Sequence, residues 1–551
     1  MPHPVALPRR RSGLHLLLAG AAALLLSACA NQTITRVADP LKEAPKADES
    51  PVVLSITANT AQISGFDTIT LERVQAVDAA ASAAGPASAQ RPPPADRRVL
   101  SQILPGLSRD TSVFVGALPA GDYEFISLRS ERDRRFLDLA QESRKRLGRF
   151  HVEARQPVDL GRLVVTPVNT SVIVGRSGLV ADNRELLQRF SPDHARLLAG
   201  AVPGWLQPRG ENDKVEDYAR LRPVGAAGPL EMADGRIVAA SRLGSVLERN
   251  AGGSWRVISS GRLESILHAL PVDRPDTRLI AVGELGTLLR LSHDSDRFEP
   301  IPPGDLPPGN LLFIAGNDRQ GWYLVHQNAS TIRLLRSDRL ENGQWQTLRT
   351  ESVAFSLWSG ANAFWSWATP GGLAYAVSEG RLHFLDFASG QWTERSAPNK
   401  ARFVQITADP EATLGALTSP GGGFAGVFAS TWFSRDDGQS WKEVKSEFNV
   451  KVAPPRRLPG GRLLMVGGVF SDPELHASDD EGKTWQKVSP FPRDQQLVLL
   501  PSGQLLAVAL GQFGLFGIRH SSDGGKTWRT EYSNFDRQAF EADEARRKAK
   551  P

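Results

Sequence analysis

The sequence predicts an all-β chain in which a seven-bladed β-propeller follows a small β-sandwich, the two joined by a short helical linker. Three observations carry this. Short runs of alternating apolar and polar residues, bounded by Gly, Pro and Asn, begin at Val52 and continue to about residue 178. Between 222 and 532, aromatic residues recur at 255, 298, 345, 392, 441, 485 and 528, spaced by 43, 47, 47, 49, 44 and 43 residues. Each interval is the length of one four-stranded blade. Between the two regions the apolar period becomes helical. Composition agrees: 551 residues, 41% of them hydrophobic, with 12 Trp and 23 Phe, can fill large cores, and a single cysteine excludes a disulfide framework or a thiolate zinc site.

The elements follow in order. Arg9, Arg10 and Arg11 precede an apolar run from Leu14 to Leu26, then Ser27, Ala28 and Cys29, the charged, apolar and small-residue order of a secretory signal. A cleavage site ending in cysteine resembles the lipobox of bacterial lipoproteins. The resemblance implies that residues 1–28 are removed and that Cys29, the chain's lone cysteine, carries the lipid. Several acyl chains then hold the protein in a bilayer, each buried CH₂ contributing about 0.8 kcal/mol. Ala30, where enteric inner-membrane lipoproteins carry Asp, implies the outer membrane, with the protein facing the periplasm. Loss of three arginines leaves 62 basic against 60 acidic residues, so net charge gives no reason to expect a nucleic-acid partner.

Residues 29–50 are polar and lack an apolar period, which predicts a flexible tether. The sandwich is expected over 51–178, with the Ala, Pro and Ser-rich stretch 78–98 as a disordered loop. Its segment LPAGDYEFISLRS resembles the turn and strand of transthyretin-like sandwiches, and 131–147 reads as a charged helix or hairpin tip. The linker, 179–221, contains a helix opened by Ser191 as cap and Pro192 at the first position, with an apolar stripe of Leu197, Leu198, Ala201, Val202 and Trp205. Residues 533–551 form a charged tail, expected as frayed helix or disorder.

The repeat itself is an octapeptide, Ser-x-Asp-x-Gly-x-Ser/Thr-Trp. It occurs with Ser434, Asp436, Gly438 and Trp441, with Ser478, Asp480, Gly482 and Trp485, and with Ser521, Asp523, Gly525 and Trp528. Degenerate copies end at Trp255, Phe298, Trp345 and Trp392. Such a turn needs side-chain oxygens to bind its backbone, a glycine with positive φ, and an aromatic residue to pack into the blade. The octapeptide resembles the Asp-box, or bacterial neuraminidase repeat, of sialidases, sortilin-type receptors, xyloglucanases and photosystem II stability/assembly factor-like proteins. The last are the best match to AVGELGTLLRLSHDSDRFEPI at 281–301. In those families the boxes lie at the propeller periphery, so the resemblance implies a structural role for them.

No motif announces catalysis. The Phe/Tyr-Arg-Ile-Pro tetrapeptide of sialidases is absent, and Tyr323 and Tyr375 sit in strand contexts. Glu284 in VGELG and Glu379 in VSEGR occupy equivalent places and are expected to ring the central face. The ten histidines lack metal spacing, the glycine cluster GGGF at 421–424 has no following Lys-Ser/Thr, and nothing calls for a cofactor or metal. The resulting expectation is a non-catalytic platform for an envelope protein partner. The aromatic-rich inserts SLWSGANAFWSW (356–367) and STWFS (430–434) exceed what box anchoring needs and are expected to add contacts to that partner. The competing reading is a carbohydrate-active protein, a divergent sialidase-like glycosidase or a glycan-binding lectin, with exposed aromatics on the propeller face as sugar platforms.

Overall fold

The computed structural model describes residues 33–60, 65–74, 95–131, 134–179, 182–353, 363–409, 411–419, 429–445, 450–451, 453–468, 472–509 and 515–548. Cys29 and residues 75–94 lie outside the described residues. The first domain is two facing sheets. One contains β1 (Thr33–Arg36), β4 (Asp96–Ser101), β3 (Thr68–Val74), β6 (Gly121–Ser130) and β7 (Arg135–Asp138) in that order, with β8 (Phe150–Val152) also on β6. The other runs β10 (Ser171–Arg176), β9 (Val158–Val168), β2 (Glu49–Ala58) and β5 (Thr111–Pro119), with β11 (Val202–Pro203) beside β9. Alternating side chains such as Val52, Leu54, Ile56, Ile69, Phe114 and Leu163 fill the space between the sheets. The Tyr123 hydroxyl donates to Pro119 O at 2.7 Å, closing the β5–β6 turn.

The segment 29–50 is not a tether over its described part. Residues 33–36 pair in parallel with β4, from Thr33↔Asp96 to Arg36↔Val99, and Val37 N continues the ladder to Val99 O. Asp39 then meets the buried His194 at 3.0 Å. Val37 packs on the sandwich core, which explains why so polar a segment is held.

Of the linker, α1 (Gln141–Leu147) precedes it, and α2 (Asp182–Phe190), α3 (Pro192–Leu197) and α4 (Asn212–Leu221) make it up. The helical stripe read through Trp205 breaks at Leu198, because Gly200 takes φ +77° and Pro203 cannot continue a helix. Val202 and Pro203 instead form β11, and Trp205 joins the sandwich core, stacked on Phe125 at 5.7 Å. Ser191 makes no side-chain cap bond; its hydroxyl faces His194 Nδ1 at 2.7 Å. The tail is also anchored: Asn169 exchanges two 2.9 Å bonds with the Asp536 backbone, and α5 (Arg537–Lys548) follows.

The remaining chain is an all-β propeller. Among the described residues, seven antiparallel sheets follow one another, at 227–259, 266–300, 310–352, 364–396, 402–444, 450–490 and 495–533. Each uses its own consecutive strands, and the sixth carries an additional short pairing, Arg456–Arg457. Separate apolar clusters occupy the seams between neighbours, for example Ile280, Trp322 and Leu335 between the second and third sheets. Ile237 and Leu247 of the first sheet pack against Leu506 and Ile518 of the seventh, so the ring closes by packing rather than by a shared strand.

Candidate functional site

Each propeller sheet is a meander, so its turns alternate between two ends. One end, here the loop face, carries the turns between second and third strands and the connections between sheets. The Ser-x-Asp turns, between third and fourth strands, lie at the other end. Glu284 sits in a loop-face turn, yet it does not ring an open centre. It is 1% exposed and receives hydrogen bonds from the sandwich: Ser108 Oγ and Arg109 N at 2.7 Å, and Asp110 N at 3.2 Å. Burial, and then the nearby Asp110 carboxylate, push its carboxyl up to about 7 against the opposing pull of these donors.

The joint extends around Glu284. Asp110 accepts from Ser265 Oγ at 2.7 Å and pairs with Arg242 at 3.0 Å. Arg162, on β9, reaches Glu264 at 3.1 Å and Thr57 at 3.2 Å, with its side chain fully buried. Asn59 bridges Arg222 O and Val224 N, and Asn310 bridges Leu285 N and Leu107 O. Two equivalent turns insert leucines into this surface: Leu243 (φ +51°) packs with Val164 and Ala219, and Leu285 (φ +54°) with Val113, Val115 and Leu187. Each leucine is followed by a positive-φ glycine, Gly244 or Gly286, which gives the tight left-handed turn. The sandwich therefore covers the loop face of the first three sheets, and the anchored Asp536 extends this cover beside the seventh.

Over the fourth to sixth sheets no described sandwich residue takes that place. Glu379 is exposed there, as are Asn399 and Lys400 in the next connection, and Arg493 pairs with Asp472 at 2.6 Å. Glu379 and Glu284, equivalent in sequence, thus have opposite surroundings. The aromatics singled out as contacts prove to be seam residues. Trp365, Trp367 and Trp432 pack with Trp441 around Phe403 and Leu414, and Phe364 stacks on Tyr375 at 5.0 Å. Trp358 lies outside the described residues. Tyr323 and Tyr375 are buried, 3% and 1% exposed, and the Tyr375 hydroxyl donates to Glu351 at 2.8 Å.

At the opposite end the octapeptides build three matching turns. Ser434, Ser478 and Ser521 hydroxyls donate to Asp436, Asp480 and Asp523 at 2.7, 2.8 and 2.8 Å. The same hydroxyls accept from Gly438, Gly482 and Gly525 N at 2.7, 2.8 and 2.9 Å. Hydrogen bonds from the Thr484 and Thr527 side chains, then backbones, hold Asp480 and Asp523 well below the usual carboxylate range. The anchoring ring N–H groups reach back to the preceding sheet: Trp441 to Ser396 O, Trp485 to Lys445 O, Trp528 to Ser489 Oγ, all 3.2 or 3.3 Å. Trp345 donates to Pro303 O at 2.9 Å, just past the second sheet. Trp255 donates to Glu531 of the seventh sheet at 3.2 Å, repeating the pattern across the closure. Phe298 and Trp392 pack in the seams they share with the first and third sheets, and the Arg349 guanidinium of the third sheet lies 4.3 Å over the Trp392 ring.

Among solved structures, a Mycobacterium tuberculosis puromycin-hydrolyzing peptidase is similar at 13% identity and a TM-score of 0.39, over 58% of this chain and 55% of its own. YCF48 from Cyanidioschyzon merolae is similar at 14% identity and a TM-score of 0.38, over 52% and 94%. BamB from Moraxella catarrhalis is similar at 14% identity and a TM-score of 0.32, over 53% and 83%. This chain thus spans little more than half the length of the peptidase. No protein-family model and no curated protein matches the chain. Among the described residues, no His, Cys, Asp and Glu group could hold a metal ion, and no helix is long and apolar enough to cross a membrane.

Proposed function

We propose that this chain is a lipid-anchored, non-catalytic binding platform of a bacterial outer membrane, facing the periplasm, and that its open loop face engages an envelope protein. The observation that carries this reading is the division of the loop face. Over the first three sheets its turns hold the sandwich through buried ion pairs and inserted leucines, so this part of the face is already occupied. On the described part of the loop face over the fourth to sixth sheets, Glu379, Asn399, Lys400, Asp472 and Arg493 are exposed polar residues carried on packed sheets, the arrangement that suits recognition. A glycosidase of the common kind needs two facing carboxylates, and one of the sialidase kind an accessible tyrosine, whereas Tyr323 and Tyr375 are buried in strands. Glu284, one of the two acidic residues at equivalent turns, is already engaged by Ser108, Arg109 and Asp110, which weighs against that alternative. The lipid anchor rests on the lipobox resemblance at Cys29.

The test is site-specific photocrosslinking in intact cells. A photoreactive residue at Glu379, Lys400 or Arg493 is expected to capture one envelope protein, and the same residue at Lys483, on the opposite end, is expected not to. Cys29→Ala should abolish the product by releasing the chain from the membrane. Equal capture from both ends, or none from either, overturns the reading. Binding of the acylated chain to a glycan array, weakened by substitution at Glu379, would favour the carbohydrate alternative.

A further inference from the structure

We infer that the chain stands on the bilayer by one end of its sandwich and turns its open loop face back toward that bilayer, so that its partner is the extramembrane part of a protein embedded in the same membrane. The inference rests on the lipid-anchored reading above. Only Ala30, Asn31 and Gln32 separate Cys29 from Thr33. At no more than about 3.6 Å per residue, β1 begins within about 14 Å of the lipid attachment.

The registers say which end of the sandwich that is. Thr33 pairs with Asp96, Asp96 with Arg73, and the next residue, Val74, with Asp122, so all five residues lie at one end of their sheet. In the facing sheet Glu49 pairs with Pro119, and the Pro119–Gly121 turn joins the two sheets at that same end. The propeller joint gathers toward the other end: Asn59 follows β2, Ser108 to Asp110 precede β5 and Asn169 follows β9, while Arg162 and Val164 of β9 carry it partway along the strands. β2 has ten residues and β9 eleven. At about 3.3 Å per residue the two ends are some 30 Å apart.

The propeller turns its loop face to the sandwich, since Leu243, Glu284, Leu285 and their loop-face neighbours Arg242, Glu264 and Ser265 touch it. The loop face over the fourth to sixth sheets therefore looks past the sandwich to the membrane, across a gap of roughly 15 to 45 Å, from where the joint begins at Arg162 to the far strand ends with the three linking residues added. The Ser-x-Asp turns look away. A gap this wide is beyond the reach of lipid headgroups and fits a folded domain or long loop rising from the bilayer. The membrane-near end exposes Lys46, Asp48, His151, Glu153 and Arg155, both signs of charge, so its hold on the bilayer is the acyl anchor rather than a basic patch.

The test uses the full acylated chain in vesicles of phosphatidylethanolamine and phosphatidylglycerol that carry a headgroup acceptor dye. Cys29 is the only natural cysteine, so Glu153→Cys, Glu379→Cys and Lys483→Cys each accept a single donor dye. Energy transfer is expected to be strongest at 153, weaker at 379 and lost at 483. Inserting roughly twenty Gly/Ser residues after Gln32 should abolish that order, because a flexible linker frees the orientation. Transfer at 483 equal to or above that at 379 in an acylated chain overturns the orientation alone. A chain whose mass shows no acyl group overturns the anchored reading and this inference with it. In cells, a crosslink from position 379 is expected on an integral membrane protein, and a soluble product overturns the partner class.

Discussion

Glu284 concentrates what distinguishes this molecule at the residue scale. Its carboxyl is held in the joint by three donors from one sandwich loop, with Asp110 beside it, Arg242 paired to Asp110 and Arg189 donating to the adjacent Leu285 O at 3.1 Å. Folding raises its proton affinity, from an ordinary 4.5 to about 7. A carboxyl that titrates higher in the fold contributes stability that is fully present below its ordinary value and is lost as pH rises through about 7. Wild type should therefore gain on Glu284→Gln as pH falls from about 8 to about 5, read as the difference between their unfolding midpoints. Parallel midpoints across that range would show that Glu284 is not buried against Asp110. Glu531, at the ring closure, has the opposite sign. Burial would raise its carboxyl, but bonds from Arg249 at 2.6 Å and from Arg529 outweigh this and hold it at about 2. Its contribution is full above its ordinary 4.5 and is lost progressively as pH falls from there through about 2.

At the scale of the element, the octapeptide turn was legible because its chemistry is local. Ser, Asp and Gly must stand two and four residues apart for one hydroxyl to serve both the carboxylate and the glycine N–H, and that spacing survives in sequence three times. What the Trp does was less legible, since its N–H partner lies 39 to 45 residues away in the preceding sheet. The turn is thus a seam device as well as a hairpin. Gly525 makes this measurable: it has φ +87°, and an added Cβ would stand 2.1 Å from Leu475 Cδ2 of the preceding sheet. Gly525→Ala should destabilise the chain by about 1–3 kcal/mol in denaturant unfolding. The same change at Gly524, where φ is +71° and nothing lies within 4 Å, should cost less. Equal costs would mean that the turn does not pack on its neighbour. Strand β1 escaped the sequence reading for a related reason: Thr-Ile-Thr-Arg is short and polar, and only its register against β4, more than sixty residues on, makes it a strand.

On the scale of the whole molecule, the propeller ring was readable from the aromatic spacing, whereas the joint was not. Arg162 and Glu264 lie 102 residues apart, and Glu284 lies 174 from Asp110. Each reads in isolation as an ordinary charged residue of a strand or turn. Buried together they decide whether sandwich and propeller move separately. Contacts within a chain normally resemble transient interfaces and permit domain motion. Here the Arg162 side chain is fully buried and that of Glu264 is 5% exposed, and loss of either partner from such a pair costs about 3–5 kcal/mol. The helices between the domains are packed too, α4 against β10 and β9. A chain cut in the exposed turn at Gly210, between β11 and α4, should accordingly remain whole. With a protease site placed there, the cleaved fragments are expected to co-elute on size exclusion in buffer and to part only in denaturant. Glu264→Gln in the cut chain should let them part at lower denaturant. Fragments that separate in buffer without that substitution would show that the joint does not hold the propeller at a fixed angle, and the direction of its open face would then be set by something other than this chain.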